Sequence, residues 1–346
     1  MPCYHPLTAI DRGYKENGKK DIQVVTSNSG YDLSKDFNTI SLPCGHCIGC
    51  LLERSRQWAD RCMLEASYHD RNCFITLTID DDHLLTKEPI YHDSIEWQPI
   101  NNYLLNEDGE VLRDAPIKSL RKRDFQLFMK RLRKRLNKYN IKIRFFGCSE
   151  YGSKSLRCHY HAIIFGYDFS DDRVLYKTNF NGDRLYTSPM LSDCWPFGFS
   201  VVADCNWNTC AYVARYCLKK SSNDLTDLYN YCQLEPEAVF MSRRPGIARN
   251  YYDDHRDTIY DLQSIVLPGS EGRKIRPPRY FDKLYDLEYP SDMQKIRKER
   301  SVSMMEKIKA ITEATDKNYF DYLEACEYNL HKKTSMLQER KNFLER

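Results

Sequence analysis

Two stretches predicted as β-strands, 141–149 and 156–166, follow one another with only a short link between them. A link of this length suits a hairpin, because a parallel pair needs a crossover of a dozen or more residues. This predicted hairpin is the sequence feature that most constrains the fold.

Further elements are predicted on both sides of the hairpin. The stretch to about residue 43 shows little periodicity, and a helix is expected from about 51 to 68. A strand rich in β-branched and aromatic residues covers 73–79, and a loop insertion follows from about 80 to 117. Ser119 is expected to cap an amphipathic helix with an apolar stripe formed by Leu120, Phe125, Phe128, Leu132 and Leu136.

After the hairpin, a strand is predicted over 199–203, followed by a helix that Asn208 or Thr209 caps and that ends near 220. The chain then looks helical and later loop-like to about 282, and a charged tail from about 292 predicts one or two solvent-facing helices. We expect four consecutive parts: a cysteine-rich segment (1–50), a core (51–222), a further part of the core or loops (223–290) and a helical tail (291–346).

The composition by itself excludes few functions, since 52 basic and 49 acidic residues leave a net charge of only +3. The sequence contains no run of about eighteen apolar residues, so no membrane span is predicted. The N-terminus is too polar for a signal peptide. We therefore expect no membrane partner, and we expect the 14 cysteines to be thiols or metal ligands rather than disulfides.

The basic charge is concentrated between 119 and 138, where nine Lys or Arg residues face one acid, Asp124. On the polar side of the predicted helix these cations would contact DNA phosphates, and the alternative is an ordinary solvated helix face. The candidate DNA-binding residues are Arg121, Lys122, Arg123, Lys130, Arg131, Arg133, Lys134 and Arg135.

His159, Tyr160 and His161 lie within the second strand of the predicted hairpin. Because side chains alternate along a strand, both imidazoles project from one face and form half of a divalent-metal site. Glu150, at the end of the preceding strand, is the expected third ligand. The alternatives are two surface histidines on a half-exposed strand and a solvated loop acid at Glu150.

Tyr212 and Tyr216 are spaced four residues apart, so they share one face of the predicted helix, and Lys219 and Lys220 lie on or beside that face. A phenol near a cation and a polarised phosphate can attack DNA, leaving a 5′-phosphotyrosine and a free 3′-hydroxyl. The alternative is a pair of core aromatics at helical spacing.

Cys44, Cys47 and Cys50 form a C-x₂-C-x₂-C pattern that suits a metal. Cys3, His5 or His46 could supply the fourth ligand of a structural Zn²⁺. An iron–sulfur cluster and metal-free thiols remain alternatives.

In their order along the chain, three of these features resemble the motifs of the His-hydrophobic-His endonuclease superfamily. They are more closely similar to the replication initiators of microviruses, among them the gokushovirus branch and the gene A protein of phi-X-type phages. The matching motifs are Phe74–Thr78, His159–His161, and Tyr212 and Tyr216 with Lys219 or Lys220. Flanking segments similar to the gokushovirus branch are Pro43–Gly45 with its following cysteines, Phe146–Gly152, Trp195–Gly198 and Ser242–Gly246.

The resemblance implies an α+β fold with a palm-like antiparallel β-sheet, flanked by helices on one side, with an N-terminal cysteine-rich segment and a helical C-terminal extension. It implies Mg²⁺ or Mn²⁺ at the histidine pair, and rolling-circle replication in which one tyrosine cleaves the origin and the other ends each cycle. The implied partners are single-stranded or supercoiled phage origin DNA and the host helicase and polymerase, in the cytoplasm of an infected bacterium.

Two other interpretations stay open at this point. One keeps the same chemistry in a plasmid initiator, a mobilisation relaxase or a transposase. The other is a DNA-binding or packaging protein without catalysis, for which the basic helix alone would suffice.

Overall fold

The computed structural model describes residues 3–16, 20–25, 39–87, 117–152, 157–179, 182–219, 229, 234–269 and 272–344. The chain divides into two compact units, one made of Met1–Arg54 with Leu284–Arg346 and the other of Ser55–Lys283. No helix among these residues is long and apolar enough to cross a membrane.

The first unit contains a three-stranded antiparallel sheet. Its strands are β1 (Leu7–Tyr14), β2 (Lys20–Val24) and β3 (Thr39–Leu42), in the order β2-β1-β3. The weak periodicity of this stretch did not predict the sheet, because most of β1 is exposed and only Ala9 and Ile10 are fully buried. The helix α1 (Ile48–Ala66) follows and confirms the predicted helix.

The second unit is built on a seven-stranded antiparallel sheet. Its strands, with those of two further pairs, are β4 (Asn72–Thr78), β5 (Leu85–Lys87), β6 (Ile117–Ser119), β7 (Arg144–Tyr151), β8 (Cys158–Phe165), β9 (Val174–Thr178), β10 (Arg184–Thr187), β11 (Ser200–Asp204), β12 (Val239–Met241), β13 (Ile265–Val266) and β14 (Lys274–Ile275). The order in the large sheet is β12-β7-β8-β4-β11-β10-β9, and the pairs β5 with β6 and β13 with β14 are not part of it. The helices are α2 (Lys122–Asn137), α3 (Pro189–Cys194), α4 (Trp207–Lys219), α5 (Arg249–Leu262) and α6 (Arg279–Glu288), the last of which extends into the first unit.

The predicted hairpin is confirmed as β7 and β8, although both strands are shorter than the predicted stretches and β7 ends later than expected. Pairing continues through Glu150↔His159 to Tyr151↔Cys158, so Glu150 lies inside β7, one residue before its end. The predicted insertion is closed at its base by the antiparallel pair β5 and β6, and residues 88–116 lie outside the described residues.

One face of the large sheet is covered by α2. Phe125, Phe128 and Leu132 are buried against the side chains of Ile75 and Tyr160, which confirms the predicted apolar stripe. The cap at Ser119 was predicted wrongly: Ser119 is the last residue of β6, and the helix begins after Arg121, whose side chain makes no capping hydrogen bond.

The opposite face of the sheet is covered by α1 and α4. Ala59 of α1 and Val213 of α4 pack with Phe146 and Ile163 of the hairpin. The expectation of helices on one side was therefore wrong. The central strands carry apolar side chains on both faces, so each face must be covered to remove them from water.

Beyond the core, the stretch predicted to be helical and then loop-like also contributes a strand, since β12 adds to the sheet edge beside β7. The predicted tail forms two long, mostly exposed helices, α7 (Pro290–Thr315) and α8 (Tyr319–Leu344). Leu323 of α8 is buried in a cluster with Tyr4 and Cys47 of the first unit.

Candidate active site

Two neighbouring strands, β7 and β8, place the predicted metal ligands side by side. In the register of the sheet, His159 lies between Glu150 on β7 and Thr78 on β4, and His161 lies opposite Thr76 on β4. Side chains alternate between the two faces along each strand, so His159, His161 and Glu150 project from the same face. This is the face that α1 and α4 cover. The sheet therefore brings the two histidines and Glu150 together, as the sequence predicted.

His161 is buried and held by two neighbours. Its Nε2 lies 3.1 Å from Glu150 Oε2 and its Nδ1 lies 3.0 Å from the Thr76 hydroxyl oxygen. The ring also stacks on Phe74, with an interplanar angle of 9°. When Nδ1–H donates to the Thr76 hydroxyl, Nε2 carries the lone pair and faces the Glu150 carboxylate. Two electron-rich groups that face each other in this way can both bind one cation.

His159 is oriented by the backbone. Its Nδ1 lies 2.6 Å from the carbonyl oxygen of Arg157, so an Nδ1–H donates to this oxygen and Nε2 keeps its lone pair. Burial lowers the pKa of His159 below its usual value, and the neighbouring His161 adds to this effect. The neutral form, which binds metals, is thereby favoured.

The donor set of two imidazoles and one carboxylate suits Mn²⁺ and is compatible with Mg²⁺. The two imidazole rings are parallel, with centroids 6.1 Å apart. Among the described residues, only the cysteine group of the first unit has three or more ligating atoms all within 4.8 Å of one another. The donor atoms of His159, His161 and Glu150 are therefore not all within this distance of one another, so binding one ion with all three requires a side-chain movement.

Tyr212 reaches the same site from α4. Its ring stands edge-on to His161, with 5.0 Å between centroids, and edge-on to Phe74 at 5.9 Å. The helix is anchored by the buried Val213 and Ala214, which pack on the sheet. At Tyr212, therefore, a phenol lies next to the histidines, as the sequence predicted.

The other predicted catalytic residues are less fully described. Tyr216 and Lys219 lie on α4, one and two turns after Tyr212, and their side chains are outside the described part of the chain. Lys220 lies outside the described residues altogether. The cap of α4 differs from the prediction: Asn206 and Thr209 exchange hydrogen bonds of 2.9 Å between side chains and backbone amides, so Asn206 takes the position expected of Asn208 or Thr209.

A cavity of about 430 Å³ opens over these residues. The histidines, Glu150 and Tyr212 line one part of it, and Tyr176, Lys177 and Phe199 line another. The Tyr176 and Phe199 rings are half-exposed, with centroids 5.4 Å apart. This aromatic pair was not predicted from the sequence, because every residue of β9 is exposed and its sequence shows no alternation of apolar and polar side chains.

The predicted DNA-binding residues do not come near this cavity. They belong to α2 or to the residue before it, and α2 covers the other face of the sheet. Several are engaged locally: Arg121 pairs with Asp124 at 2.6 Å, Arg135 pairs with Asp193 at 2.8 Å, and Arg131 lies over the Phe197 ring. The exposed cations of the helix are Lys122, Arg123, Lys130, Arg133, Lys134 and Arg135.

The cysteines of the predicted pattern form a cluster in the first unit. The Sγ atoms of Cys3, Cys44, Cys47 and Cys50 all lie within 4.8 Å of one another. Burial alone would raise the pKa of Cys47, but hydrogen bonds from the Tyr4 and Cys50 amides outweigh it and lower this pKa to about 7. Burial raises the pKa of Cys50 to about 12.

Comparison with known proteins points to one family. Residues 72–221 match the family model of replication-associated protein ORF2/G2P. This span contains all three motifs on which the sequence resemblance depended. No solved structure matches this chain.

Three curated relatives carry related descriptions. The chain is 27% identical to "Replication-associated protein ORF2" of Spiroplasma virus 4, over 93% of either chain. It is 27% identical to "Replication-associated protein VP4" of Bdellovibrio phage phiMH2K, over 84% of this chain and 79% of the relative. It is 28% identical to "Replication-associated protein ORF4" of Chlamydia phage 1, over 85% of this chain and 66% of the relative.

Proposed function

We propose that this protein initiates rolling-circle replication of a DNA phage by nicking and rejoining single-stranded origin DNA, since residues 72–221 match the family model of replication-associated protein ORF2/G2P. The observation that carries the proposal is the position of Tyr212, whose ring lies 5.0 Å from that of His161 inside the cavity formed by the histidines and Glu150. A nucleophile and a set of metal-binding side chains thus face the same space.

In the proposed reaction, the phenolic oxygen of Tyr212 attacks the scissile phosphorus and its proton passes to water. The bond from phosphorus to the 3′-oxygen breaks, and the leaving oxygen takes up a proton to become a 3′-hydroxyl. The 5′ end stays on the enzyme as a phosphotyrosine. A later 3′-hydroxyl can attack this link, which restores a phosphodiester and frees the tyrosine.

The metal-binding side chains have a positioning role in this reaction. A bound Mg²⁺ or Mn²⁺ would supply positive charge beside a non-bridging phosphate oxygen. His161 is held by Thr76 and Phe74, so its Nε2 keeps one direction towards the cavity. A fixed donor costs little reorganisation when the phosphate arrives, and this favours catalysis.

Tyr216 is proposed as the second nucleophile because it follows Tyr212 by one helical turn on α4. Two phenols on one helix face allow two successive strand transfers without release of the DNA. Lys219 or Lys220 is proposed to add positive charge near the attacking or leaving oxygen.

Tyr176, Phe199 and Lys177 suggest how the single strand is held. Two half-exposed rings at one wall of the cavity offer surfaces on which unpaired bases can stack, and the lysine can contact the backbone. A duplex keeps its bases stacked inside, so such a wall favours single-stranded substrate. We propose that these side chains hold the nucleotides next to the scissile phosphate.

The basic helix α2 is proposed to bind DNA on the opposite face of the sheet, away from the cleaved bond. Its exposed cations would neutralise phosphates without reading sequence. Initiation of this kind would take place in the cytoplasm of the bacterial host, together with the host helicase and polymerase.

The test uses single-stranded oligonucleotides that tile the replicon encoding the chain, incubated with the full-length protein and Mn²⁺ or with a chelator. We expect a denaturant-resistant adduct with one oligonucleotide, dependent on metal, and mass spectrometry of the trapped peptide should place it on Tyr212 or Tyr216. A double Tyr212→Phe, Tyr216→Phe variant that still forms the adduct would exclude this pair. If the wild type forms no adduct with any oligonucleotide, the non-catalytic DNA-binding alternative is favoured.

A further inference from the structure

Four cysteines from separate parts of the first unit meet around one point. Cys3 precedes β1, Cys44 follows β3, and Cys47 and Cys50 flank the start of α1. The antiparallel pairing of β1 with β3, which places Leu7 opposite Leu42, brings the first of them to the other three. The convergence is therefore a product of the fold and not only of the local C-x₂-C-x₂-C spacing.

The spacing of the sulfurs fits a single tetrahedral ion. Zn–S bonds of about 2.3 Å place tetrahedral sulfurs about 3.8 Å apart. The Sγ atoms of Cys44 and Cys50 are 4.0 Å apart, and those of Cys3 and Cys47 are 3.9 Å apart. These separations are far too long for disulfides, and sulfurs that all lie within 4.8 Å leave too little room for a cluster of several irons.

Backbone amides point at the same sulfurs. Cys3 Sγ accepts from the Cys44 amide at 3.2 Å and Cys44 Sγ accepts from the Cys47 amide at 3.3 Å. Cys47 Sγ accepts from the amides of Tyr4 and Cys50, both at 3.4 Å. Amide donors around sulfur stabilise thiolates, which are the form that binds metal, and they fix the direction of each ligand.

We propose that Cys3, Cys44, Cys47 and Cys50 bind one structural Zn²⁺. The four protein ligands complete a tetrahedral shell and leave no position for a substrate, so the role is structural and not catalytic. Cys3 supplies the fourth ligand, and neither His5 nor His46 is needed; the His5 Nε2 lies 2.6 Å from Glu327 instead.

The ion would also support the docking of α8 within the first unit. Cys47 is buried against Tyr4 and Leu323, and Tyr319 and Tyr322 of α8 pack on the same cluster. Because Cys47 is both a ligand and part of this apolar cluster, a fixed metal centre holds the surface on which Leu323 packs. Loss of the metal should therefore loosen α8 as well as the three-stranded sheet.

The experiment measures metal in the full-length chain purified without chelators. We expect close to one zinc ion per chain, and near zero in a Cys44→Ser, Cys47→Ser variant. A Cys326→Ser variant is the matched control, because Cys326 packs beside the same cluster but is not one of the four ligands; it should keep its zinc.

A second measurement keeps the proposal testable if the double variant does not fold. Cobalt(II) added to the wild-type chain after zinc removal should give thiolate-to-metal charge-transfer bands and the strong visible absorption of a tetrahedral site. A wild-type chain that contains no zinc and does not bind cobalt in this way overturns the proposal, as does iron at one ion per chain. These readouts do not involve DNA, so their failure is separate from a failure of the proposed nicking activity.

Discussion

The ring of Tyr212 stands at 89° to the ring of His161, with 5.0 Å between the two centroids. The two residues come from different elements, α4 and β8, and their packing joins the proposed nucleophile to the proposed metal ligands. We therefore expect different measurable effects from three groups of substitutions: those at the proposed active site, those in the residues around it and those in the core that supports it.

Replacement of Tyr212 by phenylalanine removes the hydroxyl but keeps the ring. We expect formation of the covalent adduct at residue 212 to be abolished, while the stability changes by less than about 1 kcal/mol because the edge-on packing with His161 and Phe74 remains. Denaturing gels and mass spectrometry of the adduct measure the first effect, and thermal unfolding measures the second. Tyr176→Phe, in the same cavity, is the control and should nick normally.

Thr76 is expected to act on the metal through His161. Its hydroxyl lies 3.0 Å from His161 Nδ1 and so sets the orientation and tautomer of the ring. Thr76→Val should weaken Mn²⁺ binding by about 10–100-fold, the usual effect of removing such a partner. Nicking titrated against Mn²⁺ should recover at high metal concentration. Thr178→Val, on an exposed strand, should leave the titration unchanged, and an unchanged titration for Thr76→Val would remove this residue from the site.

Tyr176 and Phe199 are expected to contribute binding energy for the single strand. Tyr176→Ala and Phe199→Ala should each weaken binding of a single-stranded oligonucleotide by about 1–3 kcal/mol, the range for the loss of one base–aromatic stack. The effect should appear in KM more than in kcat, since neither ring belongs to the ligand set. Leu175→Ala, whose side chain is exposed next to Tyr176 on β9, is the matched control. Equal affinities for all three variants would contradict the stacking proposal.

The cations of α2 are expected to change salt dependence without changing chemistry. Lys130→Ala with Lys134→Ala should lower the slope of log K against log salt by about 2, close to one for each phosphate that is no longer neutralised. Nicking of a short oligonucleotide should be unaffected, because α2 packs on the sheet face opposite the histidines. An unchanged slope would identify the helix surface as an ordinary solvated face.

Glu65 is expected to make the stability of the core dependent on pH. Burial alone would raise the pKa of Glu65, but hydrogen bonds from His69 and the Ala248 amide and the charge of Arg144 outweigh it and lower this pKa. Because the folded pKa lies below the unfolded value of about 4.3, the stabilisation is present above that value and is lost as the pH falls through the folded pKa.

The matching experiment compares urea unfolding of the wild type and Glu65→Gln. At pH 7 the variant should lose about 3–5 kcal/mol, since the half-buried Arg144 loses its counter-charge. The difference should shrink as the pH falls from about 4.3, the unfolded value, through the lower pKa of the folded carboxyl. Glu306→Gln, on the exposed helix α7, should show little difference at either pH.

Part of this organisation could be predicted from the sequence because it depends on short-range geometry. A strand period of two places His159 and His161 on one face, and a helical period places Phe125, Phe128 and Leu132 on one stripe; both placements are observed. The cysteines at 44, 47 and 50 are close for the same reason. These relationships hold whatever the rest of the chain does, since backbone dihedrals alone set them.

Local patterns were less reliable where an element ends. The first strand of the hairpin was predicted to end at residue 149 but continues to Tyr151, because pairing with the partner strand extends past Glu150. Ser119 was assigned to a helix cap and lies in β6, because pairing with Leu85 keeps it extended. In both cases pairing with a distant segment of the chain outweighed the local preference of the residue.

Other features were decided only by the tertiary structure. Thr76 meets His161 across 85 positions, and Cys3 meets Cys44 across 41. The sheet also places the basic helix on the face away from the histidines and brings Tyr176 and Phe199 to the cavity. Short-range patterns cannot specify these pairings, because they depend on which strands share hydrogen bonds and in what register. The sequence by itself determined which chemical groups lie on each element, and the packing of the sheet decided which of them share a site.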